Sequence, residues 1–274
     1  STLTERGAEV TLKALELGAV DFVAKPKIGV ADGLRQLGQD ITDKIRSAAR
    51  AKVQKLVAPP AGAPARAVVA GLGRLSTEKI VFIGASTGGT EATKEVLMGL
   101  PPDAPGVVIT QHMPPGFTKS YAARLDSLAR IRVAEARDGE RILPGHAYLA
   151  PGGMHLSVER SGANYICRVQ DGEPVNRHKP SVEVLFSSAA RVVGPNALGI
   201  MLTGMGADGA KAMRAMRDAG AYNLCQDEAS CVVFGMPREA IAAGAAHQVL
   251  PLAQIAPHLL ERLRTTAGMS TNRV

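Results

Sequence analysis

Three polar side chains, far apart in the chain, could together form one nucleophilic centre: Ser86, His112 and Asp208. Ser86 sits in Gly84-Ala85-Ser86-Thr87-Gly88, a G-x-S-x-G pattern that can expose a serine on a tight strand-to-helix turn. His112 follows the apolar run Gly106–Thr110, and Asp208 ends Thr203-Gly204-Met205-Gly206-Ala207-Asp208. An aspartate that orients a histidine, which in turn takes the proton of a serine, makes that serine an attacker of carbonyl carbon. Each residue also has an ordinary alternative. Ser86 could cap the next helix, and the unpaired N–H groups of its turn could hold a phosphate as well as an oxyanion. His112 alone reads more readily as a hydrogen-bonded structural histidine, and Asp208 as the N-cap of a helix starting at Gly209. The other histidines, His146, His155, His178, His247 and His258, lack metal-ligand spacing and receive no role.

The elements that must position these groups are legible from pattern. Ile80–Ile83, Gly106–Thr110, Arg132–Ala136, Ala197–Leu202 and Ala221–Cys225 are short apolar runs that read as buried strands. Helical spacing lies between them, at Thr90–Met98, around Phe117, Tyr121 and Leu125, at Ser181–Val193, Gly209–Ala219, Pro237–Ala243 and Ile255–Arg264. Repeated strand–helix units imply an α/β fold: a doubly wound, mostly parallel, Rossmann-like sheet with helices on both faces. His146–Ala150, His155–Glu159 and Tyr165–Gln170, joined by glycine-containing turns, read as antiparallel strands, with a hairpin expected at one edge. In such a sheet ligands bind beyond the carboxyl ends of the strands. Ser86, His112 and Asp208 all fall just past those ends.

Composition narrows the classes. The chain has 274 residues, 46% of them hydrophobic, enough for a large core. It has 32 basic and 25 acidic residues, a net charge of +7. Aromatics are only 3% with no Trp, which argues against base stacking on nucleic acid. No run of apolar residues is long enough for a membrane span. Cys167, Cys225 and Cys231 are odd in number and form no C-x-x-C pair, which points to a reducing, cytoplasmic setting.

The N-terminal part has a different character. A helical pattern up to Leu17 is followed by a strand-like Val20-Asp21-Phe22-Val23 and then Lys25-Pro26. A second amphipathic stripe runs through Leu34, Leu37, Ile41, Ile45 and Ala48, and Ala58–Arg66 is a Pro/Ala-rich linker. Residues 15–26 resemble the closing segment of a phosphorylation-receiver domain of flavodoxin-like fold. That resemblance implies that Lys25 matches the conserved lysine of the phosphorylation pocket. The family's phospho-accepting Asp lies upstream of this segment. The expected organisation is a C-terminal part of a receiver at 1–55, a linker at 56–76, a catalytic domain at 77–265 and a tail at 266–274.

Three longer stretches carry a second resemblance: Phe82-Ile83-Gly84-Ala85-Ser86-Thr87-Gly88-Gly89-Thr90, Thr110-Gln111-His112-Met113-Pro114-Pro115-Gly116-Phe117-Thr118 and Met201-Leu202-Thr203-Gly204-Met205-Gly206-Ala207-Asp208-Gly209. They resemble the motifs of the chemotaxis receptor methylesterases, the CheB family, and the likeness extends over about residues 79–264. It implies Ser86 as nucleophile, His112 as general base and Asp208 as orienting acid, with backbone at Thr87, Gly88 and Met205 around the oxyanion. It implies hydrolysis of glutamate γ-methyl esters on methyl-accepting chemotaxis receptors, with release of methanol, and deamidation of particular receptor glutamines. No cofactor or metal is implied. The implied partners are the receptor helices and a chemotaxis histidine kinase as phosphodonor to an intact receiver. Nucleic acid and membrane insertion are not expected. Lys179 and Glu183 stand where the family usually has Arg and Asp. In this family the receiver covers the site until phosphorylated, so a chain lacking most of it is expected to be constitutively active.

Two other classes fit worse. An NAD-dependent short-chain-type oxidoreductase would need a differently placed third glycine and a Tyr-x-x-x-Lys, which follows none of Tyr121, Tyr148, Tyr165 or Tyr222. A DNA-binding response regulator would need a helix-turn-helix after the linker, and none is legible.

Overall fold

The structure is a computed structural model that describes residues 5–24, 38–51 and 79–270. Lys25 and the linker at 56–76 lie outside the described residues. Two helices come first, α1 (Glu5–Glu16) and α2 (Gly38–Arg50). The main body then runs β1 (Ile80–Ala85), α3 (Gly89–Met98), β2 (Gly106–Gln111), α4 (Thr118–Leu128), β3 (Arg132–Glu135), β4 (His146–Leu149), β5 (His155–Ser161) and β6 (Asn164–Gln170). It continues with α5 (Val182–Val192), β7 (Ala197–Met201), α6 (Ala210–Asp218), β8 (Tyr222–Gln226), α7 (Met236–Ala242), β9 (Gln248–Leu250) and α8 (Leu252–Ser270).

Seven strands form one sheet in the order β3-β4-β2-β1-β7-β8-β9, and every pairing in it is parallel. Successive residues of β1 point to opposite faces, and both faces are dry. Val81, Ile83 and Ala85 join a core shared with α3, α4 and α8, while Ile80 and Phe82 join a second core shared with α5, α6 and α7. A strand buried on both faces must be apolar throughout, which is why β1 reads as a continuous hydrophobic run. Chain connections leave β1 toward β2 on one side, whereas β7 and β8 lie on the other. The order therefore reverses at β1, and the helices on either side splay apart above its carboxyl end.

Four features differ from the reading of pattern alone. β4 belongs to the parallel sheet between β3 and β2, although its crossover from β3 contains no helix. Among the described strands only β5 and β6 are antiparallel, and they form a two-stranded sheet of their own packed on α5. The apolar segment Val20–Val23 forms no strand, because no described strand lies beside it to complete a ladder. The edge strand β9 is short and largely exposed, which gave its sequence no hydrophobic period to read.

Candidate active site

The register of the sheet brings the first two groups together. Ala85 is the partner of Gln111 across β1 and β2, so the residues that follow, Ser86 and His112, leave the sheet side by side. The His112 N–H donates to Ala85 O at 3.0 Å, which extends the pairing by one residue. On the other flank of β1, β7 pairs Met201 with Gly84, and the chain beyond it arches over the same edge to Asp208.

The turn after β1 is held by its backbone. Ser86 N–H donates to Thr203 O at 3.0 Å, and Ser86 O accepts from Gly89 N–H at 2.7 Å. Gln111 Nε2 donates to the same carbonyl at 2.8 Å. Gly88 has φ +78, and a Cβ there would lie 2.6 Å from Val232 Cβ, so the position requires glycine on both counts. A Cβ on Gly204 would come within 2.7 Å of Ser86 Cβ; its absence lets the β7 loop lie directly against the serine. Ser86 does not cap α3, whose N-cap is Gly88 without a side-chain bond. The Ser86 hydroxyl pairs with no described residue, and the backbone N–H groups of Thr87, Gly88 and Met205 donate to none either.

His112 and Asp208 form a closed pair. His112 Nε2 lies 2.8 Å from Asp208 Oδ2, with the side chains 8% and 1% exposed. The carboxylate collects four further donors: Val182 N–H to Oδ2 at 2.6 Å, and to Oδ1 Asn176 Nδ2 at 2.8 Å, Ser181 Oγ at 2.8 Å and Glu183 N–H at 3.3 Å. Burial opposes its charge, but the bonds from His112, Asn176 and Ser181 prevail and hold the carboxyl down at about 2. Asp208 does cap a helix, though not the one expected from sequence. Gly209 is the N-cap of α6, and the Asp208 oxygens instead meet the first N–H groups of α5, where the helix dipole favours an anion. With an ionised Asp208 accepting at Nε2, that nitrogen carries the proton and Nδ1 keeps the lone pair. His112 Nδ1 is buried and has no partner among the described residues. The rings of His112 and His178 are stacked, with centroids 3.7 Å apart.

At the two positions noted as departures from the family pattern, the side chains bond elsewhere, although the Glu183 N–H reaches Asp208. Lys179 Nζ pairs with Asp171 Oδ1 at 2.6 Å and donates to Gly172 O at 2.9 Å. Glu183 Oε2 accepts from Gly209 N–H at 3.1 Å, at the start of α6.

The N-terminal segment lies across this site. Leu15, Val20, Asp21 and Phe22 share the walls of one cavity with Ser86, Thr87, Gln111 and His112. Asp21 Oδ2 accepts from Thr87 Oγ1 at 2.6 Å, and Asp21 Oδ1 meets Lys44 Nζ at 3.2 Å. The Phe22 ring sits 4.6 Å from that of Phe117. Glu16 pairs with Arg124 of α4 and lies 3.9 Å from Lys94 of α3. Sequence reasoning missed Asp21, Gln111, Asn176, His178 and Ser181. Of these, Asn176 carried a local signal as an asparagine suited to a left-handed turn and Ser181 one as the serine opening a helix, but neither signal pointed to Asp208.

Comparison with known proteins bears on the family and the fold. Residues 81–259 match the family model described as CheB methylesterase. The chain is 68% identical over 271 residues to protein-glutamate methylesterase/protein-glutamine glutaminase 1 of Albidiferax ferrireducens, covering 96% of this chain and 73% of the relative. It is 58% identical to protein-glutamate methylesterase/protein-glutamine glutaminase 2 of Cupriavidus pinatubonensis, covering all of this chain and 76% of that one. The crystal structure of the Thermotoga maritima CheB methylesterase catalytic domain superposes with a TM-score of 0.66 at 39% identity, over 67% of this chain and 98% of that domain. With the motifs, the sheet and the family model all in agreement over the same residues, this chain belongs to the CheB methylesterase family.

Proposed function

We propose that the chain is a serine hydrolase that removes methyl groups from glutamate γ-methyl esters of chemotaxis receptors and deamidates particular receptor glutamines. Ser86 is the nucleophile, His112 the base and Asp208 the orienting acid. The observation that supports this reading is the His112 imidazole: its Nε2 is tied to a buried carboxylate, its Nδ1 has no partner among the described residues, and it lines one cavity with Ser86, which follows the adjacent strand end. The oxidoreductase and DNA-binding readings have no comparable support.

The steps follow from these positions. Ser86 Oγ attacks the ester carbonyl carbon as its proton passes to His112 Nδ1. The carbonyl oxygen becomes an oxyanion, stabilised by the N–H groups of Thr87, Gly88 and Met205; one such donor is typically worth about 10²–10³ in rate. Collapse breaks the bond to methoxide, which leaves as methanol with the proton from Nδ1. Water then attacks the acyl-serine as His112 Nδ1 takes its proton, and the acyl–Oγ bond breaks as Nδ1 returns a proton to Ser86 Oγ, freeing the glutamate carboxylate. For a glutamine side chain the leaving group is ammonia. Asp208 stays ionised throughout and stabilises the imidazolium.

Residues 1–55 are the C-terminal part of a receiver, 56–76 a linker and 77–265 the catalytic domain. A chemotaxis histidine kinase serves as phosphodonor to the full-length receiver. The segment that walls the cavity supports a covering role for the receiver. Three free cysteines, all buried, fit a reducing cytoplasm, and no described helix is long and apolar enough to cross a membrane. The deciding experiment is methanol release from a methylated receptor. Turnover by the wild-type chain and none by Ser86→Ala supports the reading, whereas equal release by both refutes it.

A further inference from the structure

Resting on that reading of Ser86, His112 and Asp208, we propose that the tight turn at 175–178 is a positioning device for the His112–Asp208 pair: His178 fixes the plane of the imidazole, and Asn176 holds its carboxylate. The turn is closed by two backbone bonds, Val175 N–H to His178 O at 3.1 Å and His178 N–H to Val175 O at 2.9 Å. Both of its central residues are left-handed, Asn176 at φ 52 and Arg177 at φ 69. Asparagine accepts that conformation, but it is uncommon for a side chain as large as arginine. This backbone sends two side chains onto the same pair. Asn176 Nδ2 donates to Asp208 Oδ1 at 2.8 Å, and the His178 ring lies on that of His112 at 3.7 Å with 13° between the planes.

The imidazole needs this support. His112 makes one side-chain hydrogen bond, at Nε2. A single bond leaves the ring free to tilt about it, and tilting swings the Nδ1 lone pair away from the serine proton. A flat neighbour at van der Waals distance removes that freedom. The neighbour must also be uncharged, because His112 becomes a cation each time it accepts a proton. The groups that bear on His178 are His112 and Asp208, Arg177 of its own turn and Lys44 of α2. Burial, with His112, Arg177 and Lys44 against the pull of Asp208, pushes the His178 pKa down to about 3. A neutral ring face also attracts a cation held above it.

The test compares His178→Ala, His178→Phe, Asn176→Gly and His112→Ala in the full chain. Methyl-ester hydrolysis is followed as kcat, KM and the pH profile of kcat/KM, with a thermal melt for each variant. His178→Ala is expected to lower kcat by about 10²-fold, the scale of a misplaced catalytic group, with KM little changed and the acid limb of the profile displaced. His178→Phe keeps a flat face and is expected to recover most of that loss. Asn176→Gly keeps the left-handed turn, removes one charge-assisted donor and is expected to lose about tenfold in kcat. Wild-type kcat and an unmoved profile in His178→Ala, or a His178→Phe variant as slow as His178→Ala, overturns the proposal. If His178→Ala does not fold, wild-type kcat in Asn176→Gly together with an unmoved profile in His178→Phe overturns it as well. Retention of turnover by His112→Ala refutes the underlying triad instead, and loss there beside a normal His178→Ala refutes the positioning role alone.

Discussion

Histidines cluster at two places in this molecule, and only one has the means for catalysis. Past the carboxyl ends of the strands, His112 and His178 stack beside Asp208. At the start of β8, His247 and His258 flank Tyr222 under the Arg262 guanidinium. In the second cluster the side-chain nitrogens are spent on ordinary bonds: His258 Nε2 on Tyr222 OH at 3.0 Å and His247 Nδ1 on Asn223 N–H at 3.1 Å. Burial first, and then the cationic Arg217 and Arg262, lower the pKa of His247. At the first cluster a buried carboxylate takes one nitrogen of His112 and leaves the other unpaired. On the proposed reading, chemistry follows the carboxylate and the spare lone pair, not the number of imidazoles.

The largest effects test the first cluster directly. Ser86→Ala and His112→Ala are each expected to lower kcat by about 10⁶-fold with the melting temperature preserved, read as methanol release beside a thermal melt. Residual turnover above the uncatalysed rate by more than about 10⁴-fold in either variant breaks the triad. Asp208→Asn should cost about 10⁴-fold, because an amide no longer fixes the proton on Nε2. It should also cost about 1–3 kcal/mol of stability. All five partners of this carboxylate act as donors, so either amide orientation sets an NH₂ against at least two of them. A denaturation midpoint equal to wild type contradicts the donor set.

A pH experiment separates the clusters further. His178 is neutral in the folded chain, with its pKa lowered from 6.5 to about 3. An unfolded chain therefore binds a proton there that the native one does not, and stability falls as pH drops from about 6.5 toward 3. Asp208, lowered from 3.8 to about 2, subtracts further stability only as pH falls below about 4. Melting temperatures between pH 7 and 4.5 should thus decline less steeply in His178→Phe than in wild type. Identical slopes would mean that His178 is not held neutral by the fold.

Much of this centre was legible in the chain because it obeys a local rule. Ser86, His112 and Asp208 each follow a buried strand, and a parallel sheet puts all such ends on one rim. The supports were not legible. Asn176 and His178 act on residues 32 and 66 positions away, and nothing local in their spacing announces it. The capping role of Asp208 was assigned to α6 because that helix follows in sequence, whereas α5 is its neighbour in space. The segment Val20–Val23 has strand chemistry but no described strand beside it, so pattern overstated its structure.

The cover over the site gives a smaller effect in the opposite direction. Asp21→Ala removes the bond to Thr87 Oγ1 and leaves Lys44 without that carboxylate. If the closed arrangement dominates, losing a contact worth about 1 kcal/mol should raise kcat/KM toward receptor by about fivefold. An unchanged or lower kcat/KM would show that the segment does not compete with substrate.

The smallest effect belongs to the second cluster. His247→Gln removes an exposed ring that touches Tyr222 and accepts one backbone bond, with no carboxylate to orient it. Its cost should stay within about 0.5 kcal/mol of stability, with kcat and the pH profile of kcat/KM unmoved. The result bears on the whole comparison. If His247→Gln shifted the acid limb as strongly as His178→Ala, a long-range field from any imidazole would suffice, and stacking on His112 would explain nothing. An effect confined to His178 ties the pH response to contact with the imidazole that carries the proton.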